Sequence, residues 1–193
     1  GLGLHNYHDS HLVFPPSYLI QPGATSAPMG PASTTTGDAG PGWTALFAIL
    51  PQIEQGNLYQ TFNVNLPSWN AVNATSAVKP IPVYLCPSAV NPGPTYSVVN
   101  SGGTVLATFS RSNYVANAGR NDVWHGASVV AAVDLSTLAD GPFYRNSRTK
   151  ISDITDGTSS TVFFGEQTPF HSDSTWVGIV PDSVTCPTPK FAY

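Results

Sequence analysis

The first sixteen residues read Gly-Leu-Gly-Leu-His-Asn-Tyr-His-Asp-Ser-His-Leu-Val-Phe-Pro-Pro, and they constrain what the rest of the chain can build. Leu4, Tyr7 or His8, and Leu12 recur at helical spacing. Phe14-Pro15-Pro16 stops the pattern, because proline has no N–H and pushes the residue before it out of the helical region. This helix has a stop signal but no start signal. Gly1 and Gly3 are poor helix formers, and no Ser, Thr, Asp or Asn precedes the first apolar position. A free helix of about ten residues is marginal in water. The expectation is that residues 1–12 form the end of a longer N-terminal helix that leans on a globular body.

Composition narrows what that body can do. The 193 residues suffice for one domain with a core, and 41% of them are hydrophobic, which argues against a disordered tail. Only 9% are charged, against roughly 25% in ordinary soluble proteins. With 7 Lys plus Arg and a net charge of −4, the chain has no cationic cluster for nucleic acid or for an anionic membrane. No run of about 20 apolar residues is present to span a bilayer. No nucleophile elbow, HExxH, P-loop or dinucleotide fingerprint occurs, so no enzyme is expected.

Pro and Gly, 18 and 17 in number, divide the chain into short pieces. Residues 17–42 read as a low-complexity loop. Trp43, Leu46, Phe47 and Leu50 share a helical face, then Ile53, Leu58 and Phe62 follow beyond Pro51. This predicts two short helices, about 43–50 and 51–61, with a third near 70–78. Ile81 to Ser88 alternates prolines with apolar residues and reads as an extended edge. Tyr96–Val99 and Val105–Phe109 form a hairpin across Ser101-Gly102-Gly103. Strands are expected at about 112–118, 142–146, 161–166 and 175–180, with antiparallel pairing favoured by short connections.

Five blocks resemble a large bacterial family of unknown function carried behind a prepilin-type cleavage/methylation signal. They are Leu4-His5-Asn6-Tyr7-His8-Asp9 with Phe14-Pro15-Pro16, the Trp43-led helix with Glu54-Gln55, Leu85-Cys86-Pro87-Ser88, Ser112 to Gly119, and Gly141 to Glu166. The Ile151-Ser152-Asp153-Ile154-Thr155-Asp156-Gly157-Thr158 run is the most specific of these. Members resemble type IV pilins and type II secretion pseudopilins. The resemblance implies a single pilin-like α+β domain over residues 1–193, in which an N-terminal helix packs on an antiparallel sheet with extra short helices and long loops. It implies a structural subunit of an extracellular, cell-surface pilus-like filament, pseudopilus or related assembly, whose partners are copies of itself. Membrane contact would run only through a helix ahead of Gly1. The alternative is a surface-anchored binding module for glycans or solutes, with Trp69, Trp124 and Trp176 available to stack on sugars.

Candidate sites are few. His5, His8 and His11 recur every three residues, so neighbouring pairs share a helix face, but packing roles are expected rather than a metal. Asp153, Asp156 and Glu166 offer oxygen ligands for calcium, although Asp156-Gly157 reads more simply as a tight turn. Beyond that possible calcium, no cofactor is implied. Asn73-Ala74-Thr75 is an N-glycosylation sequon. Cys86 and Cys186 are the only cysteines. They are expected to pair in an oxidising compartment, where closing a loop of about a hundred residues stabilises by about 4–5 kcal/mol. The rival partner for Cys86 is a cysteine ahead of Gly1, which many members of the family carry.

Overall fold

The computed structural model describes residues 1–20, 41–100, 102–119, 139–170, 172–180 and 183. It mixes short helices with small antiparallel strand pairs, as an α+β reading requires. Helix α1 runs over Leu2–His11, where the sequence places it. It ends as Leu12 turns left-handed, with φ 61°, and returns its N–H to the His8 carbonyl at 2.6 Å. That reversal sends Phe14 into the core, where it is fully buried and its N–H bonds the Thr149 carbonyl at 2.8 Å.

The expected 17–42 loop is structured at both ends. Strands β1 (Tyr18–Ile20) and β2 (Pro41–Thr44) pair antiparallel, and residues 21–40 lie outside the described residues. Trp43 therefore sits in a strand rather than opening a helix. The helix starts one residue after Thr44, whose hydroxyl accepts the Phe47 N–H at 3.2 Å and caps α2 (Ala45–Ala48). Pro51 then opens a 3-10 turn at Leu50–Ile53, and Glu54, at φ 61°, breaks the path before α3 (Gly56–Tyr59). The expected third helix is a 3-10 turn at Ala71–Asn73 that runs into α4 (Ala74–Ala77). Ile81 to Ser88 departs from its expected extended form: Pro82–Tyr84 is a 3-10 turn, compatible with proline's fixed φ.

The hairpin is as expected, with β3 (Thr95–Val99) pairing β4 (Val105–Ser110). Tyr96 and Val98 face inward and Ser97 faces water, the period of two that half-buried strands show. Of the four further strands, two form a pair, β5 (Tyr114–Ala116) with β6 (Phe164–Glu166). The 142–146 segment makes only an isolated bridge, Arg145 to Tyr18. Residues 174–180 run buried between β2 and the end of β4, with a bend at Trp176 and Val177, and touch them through single bridges at Trp43–Gly178 and Arg111–Thr175. Side-chain hydroxyls replace much of the missing ladder. Thr175 donates to the Ser110 carbonyl, Ser174 to that of Ser112, and Thr44 to that of Trp176.

Gly178 explains why the spine packs so closely. A Cβ there would stand 2.3 Å from the Ser68 hydroxyl and 2.7 Å from the Gly42 carbonyl oxygen. Around the spine the core is aromatic. Trp43 stacks on Phe47 with centroids 4.1 Å apart, and Phe62 meets both edge-on before it reaches Trp176. A second set, Phe14, Phe143, Phe163 and Phe164, lies under the α1 end. Edge-to-face pairs of this kind add to their area burial.

Two buried asparagines tie the segments that no ladder reaches. Asn113 accepts the Cys86 N–H at 2.9 Å, exchanges bonds with the Asn91 amide, and donates to the Gln167 carbonyl at 3.1 Å. Its backbone bonds Tyr84 and Gln167 as well. Asn113→Ala orphans a buried backbone N–H and several amide contacts at once. Urea denaturation is expected to show a loss of about 3 kcal/mol or more, against about 1–2 kcal/mol for Asn117→Ala, whose amide donates to the Val162 carbonyl and accepts the Gly119 N–H at a partly exposed site. Gly178→Ala is expected to cost about 3 kcal/mol by overpacking. A Ser68→Gly background should recover only part of that loss, because the Gly42 carbonyl stays in place.

Candidate functional site: the seat of helix α1

The inner face of α1 is narrow. Gly3 and Leu4 are its only fully buried residues, with Tyr7 and His8 half-buried beside them. Gly3 allows a close approach, since a Cβ there would stand 2.7 Å from Cγ2 of Ile53 on the 3-10 turn below. Burial, with Tyr59 nearby, holds the Tyr7 hydroxyl above its ordinary pKa. His8 lies against Phe14 with centroids 4.9 Å apart, and its Nε2 accepts the Ile151 N–H at 3.4 Å. His5 meets Phe14 edge-on, while His11 stacks on Tyr7 and bonds its carbonyl at 3.0 Å. Each histidine thus has its own packing role.

Between the first turns of α1 and the 158–164 segment lies a groove of about 340 Å³. Leu4, Phe163 and Phe164 supply apolar surface to it, and His5, Thr158 and Thr161 supply polar groups. Among the described residues no carboxylate or lysine side chain lines it, so its chemistry is that of an uncharged, partly apolar ligand or protein segment. The two motif blocks that stand out most in the sequence form its two walls. A smaller cleft, about 50 Å³, opens between the β1–β2 and β5–β6 pairs beside Tyr18, Tyr114, Phe164 and Thr175.

The other candidate residues disperse. Among the described residues, no group of three His, Cys, Asp or Glu side chains comes close enough to hold a metal ion. Asp153 turns back on its own 3-10 turn, Ile151–Asp153, and accepts the Lys150 N–H at 2.9 Å. Asp156 is exposed on the turn before Gly157, which has φ 84°, and Glu166 is exposed at the end of β6. The calcium set of Asp153, Asp156 and Glu166 is therefore not assembled.

Asn73 is not a surface acceptor. It is fully buried, accepts the Asn63 N–H at 2.9 Å and donates to the carbonyls of Asn63 and Pro67. A glycan on Nδ2 would replace one of its two donated N–H groups and needs room that a fully buried side chain lacks, so the sequon is a structural staple. Trp176 is fully buried in the core, Trp69 is half-buried, and Trp124 lies outside the described residues. Cys86 is a buried free thiol with Sγ 3.1 Å from the Ser88 hydroxyl, and Cys186 lies outside the described residues.

Sequence reasoning missed the two asparagine staples and the buried Arg111. The Arg111 guanidinium pairs with Asp173 and lies over the Tyr96 ring at 5.1 Å, and burial pulls its pKa down. The Tyr84 hydroxyl, pushed far up by burial, donates to the Leu46 carbonyl at 2.7 Å and is no nucleophile. Asn113 follows Ser110-Arg111-Ser112 and reads as part of a polar loop, so the sequence carried no signal for its burial.

The architecture is a mixed helix and strand domain made of small antiparallel pairs around a buried spine. A family described as a protein of unknown function, DUF1559, matches residues 1–186, and the chain belongs to that bacterial family. No curated protein and no solved structure matches it. Because the three carboxylates stay apart, millimolar calcium is expected to leave the melting temperature unchanged by differential scanning fluorimetry. A rise of several degrees that Asp156→Ala abolishes would restore the metal reading.

Proposed function

We propose that the chain is a pilin-like structural subunit of an extracellular filament, pseudopilus or related surface assembly, with copies of itself as partners. The observation that carries this reading is the position of α1. The helix grips the body by Gly3 and Leu4, while Leu2, His5, Asn6 and Asp9 on its other side are exposed. Leu2 is 77% exposed and Leu12 71%, so apolar surface is open at both ends of the helix. Such a helix is suited to pack against neighbours. The low charge supports contacts that are mainly apolar and uncharged-polar, which salt screens little. No helix among the described residues is long and apolar enough to cross a membrane.

Native material viewed in the electron microscope is expected to show filaments or tubes that persist in high salt. Leu2→Asp with Leu12→Asp should reduce assembly without lowering the melting temperature. If native preparations never assemble, the subunit reading fails. The groove beside Phe163 favours the second reading, a surface-anchored glycan- or solute-binding module. Saturable binding of a neutral sugar to a monomer, lost in Phe163→Ala, would install it instead.

A further inference from the structure

We propose that His8 is an acid-released latch that holds the 149–153 segment against helix α1. Two hydrogen bonds fasten this segment to the N-terminal part of the chain. One joins two backbone groups, Phe14 N–H to the Thr149 carbonyl at 2.8 Å. The other runs from the Ile151 N–H to Nε2 of His8 at 3.4 Å. The second requires a bare lone pair on Nε2, so the docked imidazole is neutral and carries its proton on Nδ1. Protonation puts a hydrogen on Nε2 and leaves two N–H groups facing each other. Imidazole is the side chain that ordinarily changes charge between pH 5 and 8.

The surroundings decide what the added charge does. Lys150 and Asp153 stand on the docked segment, and Asp153 accepts the Lys150 N–H. His5, Asp9 and His11 stand on the helix itself, and Glu54 and Tyr59 belong to the layer under Gly3 and Tyr7. Lys150, Asp153, Asp9 and Glu54 are exposed and of both signs, so solvent screens their pull on His8. The local clash of two donors therefore governs the outcome. His8 and His11 both occupy the last turns of α1, where positive charge favours the carbonyl end of a helix. Acid thus leaves α1 helical while it removes the bond to Ile151. The sign follows from linkage: a contact that needs the neutral imidazole is present when the ring is neutral and is lost when acid protonates it.

Beyond this segment Ile154 packs against the core, so acid should free residues 149–153 without unfolding the aromatic core. The latch does not depend on which reading of function holds.

Amide hydrogen exchange of the intact chain, corrected for intrinsic rates, tests the latch. Between pH 7.5 and pH 5 the Ile151 amide is expected to lose protection about tenfold, the worth of one such bond. The amides of β3 and β4 should not change. His8→Gln places an amide oxygen near the position of Nε2 and should keep Ile151 protected at both pH values. His5→Gln and His11→Gln should retain the wild-type response. Nitrogen chemical shifts of the wild-type imidazole provide a second measurement that needs no variant. Nε2 should be unprotonated at pH 7.5. Protection that does not change with pH, a response that survives in His8→Gln, or a proton on Nε2 at pH 7.5 would each overturn the proposal.

Discussion

Asn113 is the interaction on which most of the rest depends. It is fully buried, and its amide and backbone reach Tyr84, Cys86, Asn91 and Gln167. Removing these segments from water leaves backbone groups that must find partners. In most domains a helix or a sheet ladder supplies them. Here the described strands are three to six residues long, and pairs are never extended into a wider sheet. A neutral amide with two donors and two lone-pair sites replaces the missing ladder. Asn73 does the same around Asn63 and Pro67, and Asn100 closes the β3–β4 turn by accepting from Gly102 and Thr104.

This also gives a physical reason for the unusual composition. Buried charges are costly unless paired, and the buried Arg111 is paired with Asp173. Hydroxyls of Ser112, Ser174 and Thr175 and amides of asparagine satisfy the interior without that cost. A chain stapled this way can stay polar and still carry only 9% charged residues.

The sequence allowed some of this to be read and hid the rest. Helix α1, the β3–β4 hairpin and the helical pieces after Thr44 were legible, because hydrophobic period and turn residues report local geometry. Trp43 was misplaced by a few residues, since strand pairing to Tyr18 overrode a helical stripe. The 142–146 and 175–180 segments have strand-like sequences, yet tertiary contacts leave them with single bridges. The candidate site was legible only as motif blocks. That blocks 1–16 and 151–166 face each other across one groove depends on long-range packing, which no local pattern encodes. The sequon at Asn73 misled for a related reason: the same amide that suits glycan attachment suits a buried loop staple.

The spine at 174–180 bears on the order in which the molecule can form. Thr44 bonds the Trp176 carbonyl across 132 residues of chain, and Phe62 leans on the Trp176 ring. The half of the aromatic core around Trp43, Phe47 and Phe62 is incomplete before Trp176 exists, and the half under α1 waits for Phe163 and Phe164. A nascent chain that emerges from the ribosome therefore has no native core to collapse onto until most of its residues have been made. Folding should wait for the whole domain and be slow, as closure of such distant contacts generally is. A polypeptide whose core closes this late stays open to proteolysis and to off-pathway contacts until its last segment has been made.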